Sequence, residues 1–196
     1  MAPKKAESAI VLPELKIRDA SITLQGTTPL IVHRFAEKAR KEMLDKQMGV
    51  AKVKKDFKNP EQDYLDSLYL LPDGTPGFPA VAFKAAAVSA ANDAGIQKVL
   101  ARRAFHIVGA ELLPIIGEHR MREDMVRIGM GTADVRHRAE FPEWAVIVPV
   151  KYNASIISLE QLVNLFNIAG FGVGIGEWRP ERNGVNGTWI VTEVTG

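Results

Sequence analysis

Four histidines, His33, His106, His119 and His137, titrate nearest neutrality and are the first candidates for acid–base chemistry. They are scattered along the chain. No His-x-x-x-His or paired-carboxylate spacing offers a metal site, and no Gly-x-Ser-x-Gly marks a strained nucleophile. The chain has no cysteine, so disulfides and thiolate metal sites are excluded. One catalytic reading remains: His33 as general base, assisted by Lys84 or Tyr152. The expectation is a protein that is not an enzyme and carries neither metal nor cofactor.

Residues 158–188 hold chemistry of another kind. Ser158 with Gln161 forms a capping box, and Leu159, Leu162, Val163, Phe166 and Ala169 give the helix one apolar face. Gly170 is expected to end it. Gly170, Gly172, Gly174 and Gly176 then alternate with larger residues, leaving one side of the backbone bare. Exposed N–H groups there can hold an anion. Trp178 and Arg179 follow, each with a flat face on which a base can stack. The other reading is a tight turn packed on its own helix, with Trp178 as a lid. No Rossmann or Walker pattern is present, since the glycines follow a helix and no Gly-Lys-Ser/Thr occurs.

Cations gather in two stretches. Residues 34–58 carry Arg34, Lys38, Arg40, Lys41, Lys46, Lys52, Lys54, Lys55 and Lys58 against four carboxylates. That is an excess of five in a chain of net charge +2, so the remainder is acidic by three. Lysines interleaved with Phe57 suit an arm that tracks phosphates; a solvated helix face is the plainer alternative. Residues 117–143 add Arg120, Arg122, Arg127, Arg136, His137 and Arg138, hinged at Gly129 and Gly131. They read as an arginine-rich arm or as a surface loop held by Glu123, Asp124 and Asp134. Lys84 interrupts an alanine-rich run near a helix N-terminus, where a cation opposes the dipole. It either serves an anion or snorkels.

The elements that must position these groups fit one domain, residues 1–196, with insertions at 34–67 and 117–143. The apolar fraction of 46% is ordinary for a globular core. No apolar run approaches the length of a membrane helix, and residues 1–8 lack a signal-peptide core, so a reducing cytoplasm is expected. Strands are expected at 20–33 (broken near Gly26 and Pro29), 68–71, 105–116, 144–152 and 188–194. Pro149 suggests an edge or a bulge. Helices are expected at 36–46, 80–94, 96–103 and 158–170. The core order is strand, helix, strand, strand, helix, strand: an α+β, ferredoxin-like (RRM-like) βαββαβ antiparallel sheet with one free face.

Thr28-Pro29-Leu30, Gly77-Phe78-Pro79 followed by Phe83-Lys84-Ala85-Ala86, and the glycine stretch with Trp178-Arg179 resemble the RAMP superfamily. The nearest likeness is to the filament-forming backbone subunits of CRISPR effector complexes. The resemblance implies an RRM-like core, homo-oligomers along a guide strand, and contacts from the arms, the glycine loop and Lys84. Residues 133–144 and the run Gly-Glu-Trp-Arg-Pro-Glu-Arg-Asn-Gly also resemble uncharacterised small proteins of tailed phages, whose place would be the host cytoplasm. The expected function is sequence-tolerant binding of single-stranded nucleic acid, RNA or DNA, with oligomerisation along it and no membrane. A structural assembly protein, its arms clasping neighbouring subunits, is the alternative; the resemblance also implies, as a lesser one, a metal-independent endoribonuclease of the related processing branch with His33 as its base.

Overall fold

A computed structural model describes residues 14–35, 37–50, 57–128 and 131–196. Strand β1 (Ile17–Gly26) leads into β2 (Leu30–Val32), followed by helices α1 (Glu37–Gln47) and α2 (Pro60–Asp66). Strands β3 (Tyr69–Leu70) and β4 (Pro76–Pro79) form a hairpin, and α3 (Ala80–Ala90) and α4 (Lys98–Ala104) come next. After β5 (Phe105–Ile107) and β6 (Leu112–Pro114), the long strands β7 (Arg120–Ile128) and β8 (Thr132–Phe141) pair as a second hairpin. Then come β9 (Ala145–Asn153), α5 (Leu159–Gly172), a 3-10 turn (Pro180–Arg182) and β10 (Trp189–Thr195).

The main sheet has the order β10-β1-β9-β5, every neighbour antiparallel. Strands β1 and β5 are therefore parallel to each other, joined through α3, with β9 inserted between them. Strands β9 and β10 are likewise joined through α5 across β1. Two interleaved units of this kind make the split βαβ arrangement that the sequence order implied. The fold is α+β.

Alternation decides which face is covered. Along β9, Val146, Val148, Val150 and Tyr152 are buried while Ile147 and Lys151 are exposed. The buried face meets Phe83, Ala86, Ala87 and Ala90 of α3 and Leu162, Leu165, Phe166 and Ala169 of α5. Alanines bring α3 close to its neighbours, and aromatics fill the remaining width. Tyr69, Phe78, Phe83 and Trp189 run edge to face at 5.9–6.0 Å. The uncovered face carries Asp19, Ser21, Thr23, Gln25, Ile147, Lys151, His106 and Ile190. Among the described residues it presents no Phe, Tyr or Trp, and its one ring is His106 on the edge strand β5, so the aromatic pair used by RRM sheets has no counterpart there.

Several sequence expectations change. Residues 20–33 are two strands in different sheets, because β2 leaves the main sheet to pair with β8. Trp144 enforces the break: its Nε1 donates to the Thr28 carbonyl at 2.8 Å, inside the turn. Residues 105–116 likewise divide, β5 staying in the main sheet and β6 pairing with β4, with the turn at Gly109 in the left-handed region (φ 95°). Pro149 lies in a central strand, not at an edge. Its carbonyl accepts from Val108 at 3.0 Å, so its nitrogen faces the same neighbour, just where β5 ends and no donor is needed. Residues 120–128 and 132–140 are no loose arm: β7 and β8 hold register from Arg120↔Glu140 to Ile128↔Thr132, while Gly129, one of the two expected hinges, lies outside the described residues. Helix α2 was not anticipated. It docks on this hairpin through Tyr64, whose hydroxyl lies 2.5 Å from His119 Nδ1, and through Ser67, whose Oγ accepts from the Ala139 N–H at 2.8 Å. The alanine-rich helix stops at Ala90 rather than 94. Among the described residues no helix is long and apolar enough to cross a membrane.

Candidate nucleic-acid interface

The capping box at Ser158 is present: its Oγ accepts from Gln161 N at 3.2 Å, and Gln161 Oε1 accepts from Ser158 N at 3.0 Å. The helix does not end at Gly170. It continues to Gly172, and Gly174 (φ 68°) is the left-handed residue that closes it, its N–H donating to Ala169 O at 2.9 Å. Gly170 serves packing instead. A Cβ there would stand 2.2 Å from the Trp189 carbonyl, so only glycine lets α5 lie this close to β10.

The bare backbone of residues 170–176 is therefore occupied by the protein's own chain. Ile175 N donates to Gly187 O at 3.0 Å, and Glu177 N to Ile31 O at 3.0 Å. A side chain at Gly176 would strike Ile31 O. Gly172 is the exception, exposed on the last helical turn with open space around it. An anion-holding row of N–H groups is not what the loop provides. The sequence could not reveal this, because alternating glycines suit a ligand and a neighbouring strand equally well.

What the loop does provide is one wall of a cleft. His33, Tyr69, Phe78, Ala82, Ala85, Ala86, Gly174, Ile175, Gly176, Glu177, Arg179 and Glu181 surround about 350 Å³ between α3, the β3–β4 hairpin and residues 173–181. A second cleft of about 200 Å³ is bordered by His33, Arg34, Lys58, Asp63, Asp66, Ser67, Asp134, Arg136 and His137. His33 borders both, so the two clefts adjoin at that side chain. Cations from both insertions, Arg34 and Lys58 from the first and Arg136 from the second, reach it. Gly174 and Gly176 border its other end.

The groove's charges are largely balanced. His33 Nδ1 lies 3.4 Å from Glu177 Oε1, and that hydrogen bond is the main reason Glu177 titrates below the usual glutamate range. Lys58 pairs with Asp134, which also lies 3.6 Å from Arg136 Nε. Arg179 donates Nε and Nη2 to Glu181 Oε2 at 3.1 and 2.8 Å and Nη1 to Gly176 O at 3.1 Å. Behind the groove, Arg138 is 3% exposed. Its Nε and Nη1 have no hydrogen-bond partner, and Asp124 Oδ2, 3.6 Å from Nη1, has none either. Burial holds the Arg138 guanidinium below its usual value.

The other expected contacts disperse. Arg120 and Arg122 are spent on the hairpin's own Glu140, at 2.7 Å each. Arg127 is exposed toward the hairpin tip, with no ion-pair partner among the described residues. His137 borders the smaller cleft but is largely buried, with Nε2 3.0 Å from Glu123. Lys84 lines neither cleft: Nζ donates to His106 Nδ1 at 3.0 Å and lies 5.9 Å from the Phe105 ring centre, and burial lowers its pKa. Tyr152 is buried in the core, so the trio considered for acid–base work does not assemble around His33. Lys38, Arg40 and Lys41 lie on α1, the latter two facing solvent. Lys52, Lys54 and Lys55 lie outside the described residues. Trp178 is 48% exposed and held at φ 55°, a conformation that costs a bulky residue about 1 kcal/mol. Its carbonyl is pinned by the Asn186 N–H at 3.0 Å. No group of three or more metal-ligating side chains occurs among the described residues.

No family model matches the chain, and no curated protein matches it. Among solved structures, the crystal structure of Cmr6 from Pyrococcus furiosus corresponds over 91% of this chain and 100% of that one, at 10% identity and a TM-score of 0.42. A likeness that distant carries no residue's role across.

Proposed function

We propose that this protein is a non-enzymatic binder of single-stranded nucleic acid, seated along the groove that His33 joins. The observation that carries the reading is the meeting of both insertions there: Arg34, Lys58 and Arg136 border one cleft, and the glycine loop borders the adjoining one. Those cations have carboxylate partners, so a phosphate must compete for them. The expected affinity for a short strand lies in the non-specific range, a Kd of roughly 10⁻⁴ to 10⁻⁶ M at physiological salt. Trp178, half-exposed and strained, lines neither cleft but stands in the chain between the lining residues Glu177 and Arg179, and is the proposed stacking face. The sequence resemblance to RAMP backbone subunits points the same way, and with it an oligomer spaced along the strand.

A specific observation favours the assembly reading for one element. Helix α1 and its flanks expose Phe35, Met43, Leu44, Met48 and Val50, and α1 makes no substantial contact with another described element. Such a face suits a neighbouring subunit better than phosphate. The test is fluorescence anisotropy with labelled 20-mers of thymidine and of uridine across 50–200 mM salt, with Trp178→Ala alongside. Binding that weakens steeply with salt, and a loss of roughly 1–3 kcal/mol in the variant, supports the reading. Absence of binding at the lowest salt overturns it.

A further inference from the structure

We infer that the larger cleft receives a single unstacked base of the bound strand and selects guanine. The inference rests on the groove reading above. At about 350 Å³ the cleft is near the lower end of small-ligand pockets, room for one base rather than a stacked run. Its floor is apolar, from Phe78, Ala82, Ala85 and Ile175, and suits a flat ring. The polar groups at its rim decide which ring.

Arg179 and Glu181 neutralise each other, and Ser89 Oγ also donates to Glu181 at 3.1 Å. The acceptor with spare capacity is Glu177. One of its oxygens faces His33, and its carboxylate retains lone pairs on both. Its lowered pKa keeps it ionised at neutral pH. An ionised carboxylate calls for two adjacent donors. Guanine offers N1–H and the N2 amino group side by side. Cytosine and adenine each set a single amino group beside a ring acceptor, and uracil and thymine flank one N–H with two carbonyls. The last four all bring oxygen or nitrogen lone pairs against Glu177.

Tyr69 completes the selection. Its ring is fixed edge-on against Phe78 at 5.9 Å. Tyr69 lines the cleft, and burial, the largest cause, raises its phenol pKa, so the protonated hydroxyl suits the guanine O6 as a donor. His33 stands where this cleft meets the cationic one, so the base and its phosphate occupy neighbouring compartments.

The experiment compares wild-type affinity for uridine and thymidine dodecamers carrying one central guanine, hypoxanthine or adenine. Guanine is expected to bind roughly tenfold or more tighter than adenine, and hypoxanthine, which lacks the N2 amino group, in between. Glu177→Gln should erase that order, whatever it does to affinity for the plain dodecamer. Equal binding of all three overturns the inference and leaves the groove reading standing, as does a guanine preference that survives in Glu177→Gln. Failure of every strand to bind overturns both.

Discussion

Residues 34–58 and 117–143 are both rich in cations, yet the protein uses them differently. In the hairpin of β7 and β8, register sets Arg120 opposite Glu140 and brings Arg122 within reach of both Glu140 and Asp124, so acids and bases of one face close on each other. Helix α1 has no such partner strand. Arg40 and Lys41 face water beside exposed Met43 and Leu44. A cation count in sequence measures charge, whereas cross-strand register determines how much of it remains available. Only at His33, where the two stretches meet, do Arg34, Lys58 and Arg136 share a cleft.

The sharpest way to break this contrast is Glu140→Ala. Its side chain is 4% exposed and accepts from two arginines. Both arginines reach water, which limits the penalty, and a loss of about 2 kcal/mol is expected in chemical denaturation. Acid should act on the same ion pairs. Burial raises the Glu140 pKa, but hydrogen bonds from Arg120 and Arg122 outweigh it and leave the value depressed, as those of Asp134 and Glu177 are. A depressed carboxylate stabilises the fold above its unfolded pKa, about 4.3 for glutamate. Stability should therefore hold from pH 7 to about 5 and fall below that. Glu140→Ala should soften the fall.

Arg138→Met should behave unlike the other arginine changes. It removes a buried cation with two unpartnered donors, so stability should stay level or rise by about 1 kcal/mol on thermal denaturation. A marked loss would mean that Asp124 depends on it. The smallest effect is expected in α1, where Met43→Lys with Leu44→Lys should change stability by less than about 0.5 kcal/mol. The same pair should reduce self-association measured by sedimentation if that helix meets a neighbouring copy.

Much of the fold was legible. The capping box, the alternation in β9 and the order of core elements all depend on local pattern and short-range chemistry. The switches between sheets were not, because they depend on Trp144 reaching Thr28 from more than a hundred residues away. The site was legible in part. Charge clustering picked out the two insertions whose residues border the smaller cleft, and His33 and Arg34 lie in its lining. Glu177, the residue on which base selection turns, carried no motif and was passed over between Gly176 and Trp178. It takes its role from Ile31, whose carbonyl anchors its N–H, and from His33, whose imidazole sits beside its carboxylate.

The most direct test of the groove is the salt dependence of single-strand affinity in two paired variants. Arg34→Ala/Arg136→Ala should flatten the slope of log K against log salt by about 0.7 for each phosphate no longer neutralised, about 1.4 in all. Arg120→Ala/Arg122→Ala, whose cations already face Glu140, should leave that slope as in wild type. Equal slopes in wild type and the first variant, or an equal flattening in both variants, would contradict a groove built where the two insertions meet.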